Sequence, residues 1–447
     1  MIDLPKAYCE KMRTILGSDY QRYEESFSLP PSRGLLINTR KISVEAFDDL
    51  FPLPTEPLSY LSIGRRLLSE EKVGGDPLHA AGLYYMQDPG AMSAVATLPK
   101  ITGRVLDIAA APGGKTIATA LMNPDAFIVA NEINFARAKI LMQNVERLGM
   151  TNVAVTSLTP KDFAKYAKES FDLVIADLPC SGEGMFRKEE AAVTAWNPNI
   201  NAMNAARQRE ILEDVLPALK KGGKLLYSTC TYAPEEDEEI VAYLIEEKGL
   251  RLLPAKEAVA HVTAPGISVE GRYLSESRRF YPFLEAGEGQ FFALLEKTDE
   301  ALYTLKSIPA KISVNELKKI RSFLDRTVDH PIDCINKQGN DYYAVHPFAR
   351  TLPLRYLAEG VRLGEFSGDK FLPHHNLFTA FGAYFRNKEN LALDDPRLAD
   401  YLRGLEIDAK TCDDGYVAVT IEGYPLGGGK CVGGRIKNHY PKGLRTR

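Results

Sequence analysis

At 447 residues, with a formal net charge of −4 and 26% charged residues, the chain has room for roughly two to four domains and an ordinary globular composition. The balance is not that of a polycation, so any nucleic-acid contact has to come from charge placed locally. No apolar run approaches membrane-spanning length, residues 1–13 lack a leader pattern, and six cysteines without a CxxC pair or zinc-ligand spacing argue against a disulfide framework or a metal site; a cytoplasmic protein is expected.

Residues 1–95 mix helical and extended signals. A Leu29-Pro30-Pro31-Ser32 break precedes a predicted strand over 33–39 and a helix at Val44–Leu50, which together predict a small α+β domain. From 96 to 298 strands alternate with helices. Strands are predicted at 104–107, 126–131, 153–157, 171–176, 224–228 and 290–295, and helices at 115–122, 134–148, 202–219 and 236–248. Gly222-Gly223 reads as the stop of the third helix, and the acidic first turn of the fourth suits the helix dipole. Repeated βα units with apolar strands predict a parallel, doubly wound sheet, whose ligands sit beyond the carboxyl ends of the strands. Residues 299–385 predict a further α+β domain, with a helix at 314–326 and a strand at 341–345. Residues 386–447 read as short strands, at 415–422 and 427–430. After Tyr424 come Lys430, Arg435, Lys437, Lys442, Arg445 and Arg447 and no acidic residue.

Three motifs fall at predicted strand ends. The first is Asp107-Ile108-Ala109-Ala110-Ala111-Pro112-Gly113-Gly114-Lys115-Thr116. A strand, a turn of small residues and a helix starting at Lys115 present unpaired N–H groups at a helix N-terminus, where anions and carboxylates bind. Glu132, after the second strand, is placed to bond two ribose hydroxyls. Asp177 ends the fourth strand, beside the first in this topology. The set suits S-adenosylmethionine, which has a carboxylate, a ribose and no phosphate. A P-loop is the rival, since Gly114-Lys115-Thr116 resembles its end and Val174-Ile175-Ala176-Asp177 its metal-binding strand. That motif needs glycine where Ala109 stands, and Pro112 removes an N–H from the phosphate cradle, so the methyl-donor reading ranks first. A turn selected only for packing would explain the small residues but not Glu132 and Asp177 together.

The other two motifs are cysteines that close apolar strands, in Asp177-Leu178-Pro179-Cys180-Ser181-Gly182 and Tyr227-Ser228-Thr229-Cys230-Thr231. Cysteine is most often a small apolar core residue. Two of them beside a methyl-donor turn suggest instead carbon methylation through a covalent enzyme–pyrimidine adduct. A thiolate added to C6 of cytosine makes the ring enamine-like. C5 then attacks the methyl sulfonium, and loss of the C5 proton and of the thiolate restores aromaticity. An acid must hydrogen-bond N3; Asp177 is the candidate, and burial is expected to raise its pKa so that it can donate. Spacing does not decide which cysteine attacks. The target base has to be unstacked and turned into the pocket.

At these residues the chain resembles the Sun-type (Nol/Nop/Sun) RNA cytosine-C5 methyltransferases. The matching segments are 107–116, 177–188, 208–212, 222–231 with Glu235-Glu236-Asp237-Glu238, and the lead-in 82–89. The stretch 423–445 is similar to the PUA-like tail of the bacterial RsmF/YebU-like branch, so the resemblance covers almost the whole chain. It implies a Rossmann-like S-adenosylmethionine-dependent core, a small α+β N-terminal domain, and C-terminal α+β and PUA-like RNA-binding domains. The implied substrate is 16S ribosomal RNA or the small ribosomal subunit, and a monomer is expected. Cys230 is implied as the nucleophile, and Cys180 as the residue that assists product release, acting as or through the base that removes the C5 proton. Ala109, Ala110, Ala111, Pro112, Gly113, Gly114, Lys115, Glu132, Arg137, Thr159 and Asp177 are the implied contacts to S-adenosylmethionine or the target base. Lys188 is a further candidate, and Arg137 fits a solvated or salt-bridged arginine as well. Three positions depart from the family pattern. Ala109 stands where cysteine is usual, which costs little because only backbone is used there. Thr159-Pro160, followed by Asp162, replaces an acid that contacts the adenine amino group. Phe283 follows Pro282 where many relatives carry histidine.

The basic tail, with His439 and Tyr440 interleaved, is expected to grip phosphates and stack on a base, against the alternative of a solvated face. Tyr84 and Tyr85 fit an aromatic platform or core packing equally, and Trp196 a lid or a packing anchor. Two alternatives stay open: a transfer-RNA methyltransferase of the same chemistry, and an RNA-binding ribosome assembly factor that does not turn over. Intact Cys180, Cys230 and Asp177 argue against the second.

Overall fold

Apolar runs with two faces to bury need cover on both sides, and the segments between 104 and 297 form a sheet interleaved with helices. The computed structural model describes residues 3–446 apart from 72, 74, 299–307 and 311. The central strands are β1 (Arg104–Asp107), β2 (Phe127–Asn131), β3 (Val153–Thr156), β4 (Phe171–Asp177), β5 (Leu219–Thr229) and β6 (Gln290–Lys297). Their order is 3-2-1-4-5-6. β1 to β5 are parallel, and β6 runs antiparallel to β5 with Phe291 opposite Thr229. The winding reverses between β1 and β4, which opens a crevice at their carboxyl ends. Tyr356–Ala358 extends the far edge, antiparallel to β3.

The connecting helices are α1 (Gly114–Met122), α2 (Phe135–Arg147), α3 (Pro160–Tyr166), α4 (Asn199–Val215) and α5 (Glu238–Glu246). α3 was not expected; it is short, and its start is marked by Thr159 and Pro160 rather than by an apolar period. α4 ends at Val215, ahead of Pro217, and not at Gly222-Gly223. The glycine pair lies inside β5. Residues 220–223 bulge out between the Phe171–Leu219 and Leu173–Lys224 pairs, with Gly222 at φ +66°.

The N-terminal segment holds helices Lys6–Leu16 and Tyr20–Ser26 and an antiparallel sheet in the order Thr55–Leu58, Leu61–Leu67, Gly34–Ile37, Tyr84–Met86. The strand predicted at 33–39 stops at Ile37, because Asn38 turns inward and donates to the carbonyls of Gly82 and Leu148 at 2.8 and 2.9 Å. After the central sheet come helix Val314–Thr327, a four-stranded sheet between 335 and 373, and a five-stranded sheet between 388 and 438. Among the described residues no helix is long and apolar enough to cross a membrane.

Two further apolar clusters join segments distant in sequence. Ile37, Phe47 and Tyr84 pack in one cluster with Leu391, Tyr401 and Val419, so the first and last modules share a core. Tyr8, Met12 and Tyr23 pack with Phe186, Trp196, Tyr232 and Tyr281, which seats the N-terminal helices on the central domain. Tyr84 and Tyr85 are thus core residues. Trp196 is a packing anchor whose ring N–H donates to Glu183 at 2.7 Å.

Beneath the crevice Arg279 is fully buried. It donates to Glu238 (2.7 Å from Nε to Oε1), to the Tyr232 carbonyl at 3.0 Å, and lies 3.5 Å from Asp237. Burial holds the Asp237 carboxyl well above the ordinary range. Removing the cation leaves two buried carboxylates without their partner. Arg279→Met is therefore expected to destabilise the chain by roughly 3–5 kcal/mol, read as a lowered urea midpoint; an unchanged midpoint would show the cluster to be dispensable.

Candidate active site

The turn after β1 is held from three sides. Asn131, at the end of β2, donates from Nδ2 to the carbonyls of Ile108 and Leu158 at 3.0 and 3.1 Å. Its Oδ1 accepts from Thr156 Oγ1 at 2.8 Å and from the Leu158 N–H at 2.9 Å. One amide thus ties the carboxyl ends of β1, β2 and β3. From α2, Arg137 Nη2 donates to the Ala111 carbonyl at 2.8 Å and Asn144 Nδ2 to that of Pro112 at 3.0 Å. Gly113 sits at φ +123°, which disfavours any side chain, and a Cβ on Gly114 would stand 2.6 Å from the Gln87 amide. With its carbonyls anchored, the turn leads into the first-turn N–H groups of α1, which have no acceptor within the helix. Glu132 is buried after β2; its Oε1 accepts the Asn134 N–H at 2.9 Å and its Oε2 lies 3.2 Å from Arg137 Nη1.

Asp177 closes β4 at the same edge. Lys115 Nζ stands 2.8 Å from its Oδ2, and Ser228 Oγ donates to its Oδ1 at 2.7 Å. The burial expected of Asp177 is not found: its side chain is 36% exposed, because the strand end opens into the crevice. Burial falls instead on Asp107, where it pushes the carboxyl up to about 7, against the pull of the Thr116 hydroxyl at 2.6 Å. The pairings of Lys115 with Asp177 and of Thr116 with Asp107 also engage the two groups that a P-loop would turn to phosphate and metal. Among the described residues no cluster of His, Cys, Asp or Glu could hold a metal ion.

The two cysteines meet. Cys180 Sγ and Cys230 Sγ are 3.3 Å apart, both half-buried, and the Cys230 N–H donates to Cys180 Sγ at 3.3 Å. The hydrogen bond to Cys230, then burial, raises the Cys180 pKa well above that of an ordinary thiol, so Cys180 stays protonated.

A buried polar frame holds both cysteine loops. Glu236 Oε2 accepts the Ser181 N–H at 3.1 Å and Gln208 Nε2 at 3.0 Å, and its Oε1 accepts Asn201 Nδ2 at 2.9 Å. Gln208 also donates to the Pro179 carbonyl, and its Oε1 accepts the Tyr227 hydroxyl, each at 3.0 Å. Ser181 and Thr231 share a hydroxyl–hydroxyl bond of 2.7 Å, and the Gly184 N–H donates to the Cys230 carbonyl at 2.9 Å. Burial raises the Glu236 pKa. Asn201 was not singled out from the sequence. The available signal is that Asn201 and Gln208 fall on the buried stripe of α4 with Ala205, Leu212 and Val215, where amides must find partners.

Other expected residues lie elsewhere or are otherwise engaged. Lys188 pairs with Asp88 at 2.6 Å. The Thr159 hydroxyl and N–H both donate to Asp162, at 2.7 and 2.9 Å, and so cap α3. Phe283 stacks on Tyr281 under the Arg22 guanidinium. Tyr440 does not present a stacking face: it is 4% exposed and packs on Tyr401 and His375. Arg435 pairs with Glu406 and Asp408, whereas Lys437 and His439 are exposed. Arg447 lies outside the described residues.

A doubly wound sheet with this strand order, a glycine turn after β1 and an acid after β2 defines a Rossmann-like methyltransferase. The chain belongs to the 16S rRNA methyltransferase RsmB/F family, whose model matches residues 94–296. Residues 4–89 match the N-terminal domain of 16S rRNA methyltransferase RsmF, and 388–446 the methyltransferase RsmF PUA domain. It is 32% identical to the ribosomal RNA small subunit methyltransferase F of Klebsiella pneumoniae (strain 342), over 98% of this chain and 96% of that one. It is 31% identical to the protein of the same description from Vibrio campbellii (strain ATCC BAA-1116), over 99% and 97%. Among solved structures, a methyltransferase homolog protein from Pyrococcus horikoshii is 28% identical with a TM-score of 0.58, covering 66% of this chain and 96% of that one.

The Asp107 carboxyl has a testable signature. Unfolded, it titrates near 4, roughly the ordinary value; folded, it holds its proton up to about 7. The folded state therefore binds the extra proton between those limits, and Asp107 makes stability fall as pH rises through that window and level off above it. Asp107→Asn should flatten that part of the Tm-versus-pH curve. An identical slope in both proteins would refute the assignment.

Proposed function

We propose that the chain transfers the methyl group of S-adenosylmethionine to C5 of a cytosine in 16S ribosomal RNA, through a transient bond between Cys230 and C6. One observation carries this reading: two sulfurs 3.3 Å apart sit at the strand edge that also holds the glycine turn, linked to it through Ser228, Asp177 and Lys115.

The residues fit the methyl donor. The start of α1 after Pro112 offers N–H groups that have no acceptor within the helix to a carboxylate, and buried Glu132 offers acceptors for a ribose. Arg137 braces the turn and Glu132 together. When bound, S-adenosylmethionine supplies an electrophilic methyl group. The remaining steps belong to the chain. The Cys230 thiolate adds to C6 and raises the electron density at C5. Asp177 positions the Lys115 ammonium at the crevice, and Lys115 donates to the ring at N3 and offsets its developing negative charge. The raised Cys180 pKa supports the implied division of labour, since a protonated Cys180 is a poor nucleophile but a competent partner for the leaving Cys230 sulfur. With its own proton held, Cys180 assists loss of the C5 proton through the base that it positions. The RNA substrate itself is supported by the family and by the rRNA methyltransferases of Klebsiella and Vibrio that the chain resembles along its length.

Cys230→Ala is expected to reduce tritiated methyl transfer to 16S RNA to background while S-adenosylmethionine binding is retained; full residual activity would refute the nucleophile. Cys180→Ala is expected to trap the adduct, seen as a slowly migrating RNA–protein band on a denaturing gel. Unchanged turnover with no such band would refute its role in release. Bisulfite sequencing of 16S RNA from a deletion strain identifies the cytosine.

A further inference from the structure

The segment between the central sheet and the last domain lies outside the spans that the family models match, yet it carries a built surface. Helix Val314–Thr327 buries Ile320, Phe323 and Leu324 and exposes Lys318, Ser322 and Arg326 at successive turns. Strands Val361–Ser367 and Lys370–Pro373 form a hairpin in which Phe366 and Phe371 pair directly. Helix, hairpin and Tyr416 enclose an open groove of about 870 Å³. Its floor is aromatic. Ring centres are 5.0 Å apart for Phe323–Phe371, 5.3 Å for Phe366–Phe371 and 5.7 Å for Phe323–Tyr416. Phe366 and Tyr416 are only half-buried, so part of each ring is open. On the rim Lys318, Arg326 and Lys370 are exposed and none pairs with a carboxylate among the described residues. The acid that lines the groove, Asp369, is engaged by Lys319 at 2.6 Å.

The cations continue past Tyr416. In the last sheet Tyr416 pairs with Lys430, and Lys430 with Lys437 on the next strand. Directly paired residues share a face, so both lysines extend the row, and the exposed His439 ring lies 6.1 Å from Tyr416.

Two features select the occupant. Cations without acidic partners attract a polyanion. Open rings set between them offer stacking to bases that are free to splay, which a duplex does not have. We propose that this groove binds an unpaired RNA strand, with Lys318, Arg326 and Lys370 on phosphates, Phe366 and Tyr416 under bases, and the strand running on over Lys430 and Lys437. The inference rests on the substrate being RNA and adds a second contact surface, remote in sequence from the cysteines.

The test is fluorescence anisotropy of the full chain with a short labelled oligouridylate, which has no cytosine and so does not need the catalytic pocket. Lys318→Gln/Arg326→Gln/Lys370→Gln should make the salt dependence shallower by about 2, since each phosphate contact to a single strand contributes about 0.7. Phe366→Ala should weaken binding by about tenfold, the cost of one lost stack, and Phe366→Tyr should restore it. S-adenosylmethionine binding, unchanged in all three, reports intact folding. Wild-type affinity and salt slope in the variants would overturn the proposal. So would equal binding of an RNA duplex, or displacement of the oligouridylate by polyglutamate at equal charge, which would mark a general polyanion surface. The two proposals separate cleanly. Groove-dependent binding without methyl transfer to any RNA would sink the catalytic reading and spare the groove. Methyl transfer to 16S RNA with an unchanged KM in the groove variants would do the reverse.

Discussion

One buried carboxylate governs the spacing of the two sulfurs. Glu236 accepts hydrogen bonds from the backbone beside Cys180 and from two amides of α4, and those amides reach the strand ends on either side. A carboxylate taken out of water is costly unless every lone pair finds a donor. That requirement fixes the loop after β4, the N-terminal half of α4 and the segment before α5 in a single arrangement. Behind it Arg279 pairs with Glu238 and lies 3.5 Å from Asp237, so Glu236, Asp237 and Glu238 all turn inward. The cysteine pair is therefore the exposed tip of a polar core, and its geometry is set by groups that never meet a substrate.

What could be read beforehand follows the reach of each signal. β1 and the helix Val44–Leu50 were legible to the residue, because apolar runs and turn residues act locally. The carboxyl-edge location of the motifs followed from topology alone. The acidic residues at 236–238 read as the first turn of a helix, where they suit the dipole. Nothing local shows that an arginine more than a strand away is buried against them. Likewise, burial of Asp177 was expected from the chemistry, which needs an acid able to donate to N3. Burial went to Asp107, because the exposure of a strand end depends on what packs across it. The glycine pair was misread as a helix stop for the same reason: Pro217 ends α4 first, and the glycines serve a bulge in β5. The distance between the sulfurs depends on the register of β4 against β5, which spacing along the chain does not encode.

The N-terminal helices are more than a leader into the fold. Tyr8 and Tyr23, hydroxyl to hydroxyl at 2.6 Å, pack against Phe186 and Trp196, and Lys11 reaches Glu183. Glu183 in turn accepts from Asn201, the amide that also holds Glu236. The first helix thus leans on the same frame as the cysteine loops, through a chain of contacts that begins at Tyr8 and Lys11 and ends beside the sulfurs.

The apolar cluster shared by the first and last modules has a geometrical corollary. Asn38 and Arg147 stitch it to the end of α2, and Thr379 bonds the Glu146 carbonyl from the far side. A chain clasped at both ends cannot swing its terminal sheet as an arm. The span from that sheet to the sulfur pair becomes a calliper of set opening. For the proposed reaction that fixed opening serves as a gauge: a folded RNA offers a base to the sulfurs only where its own contours match the jaws.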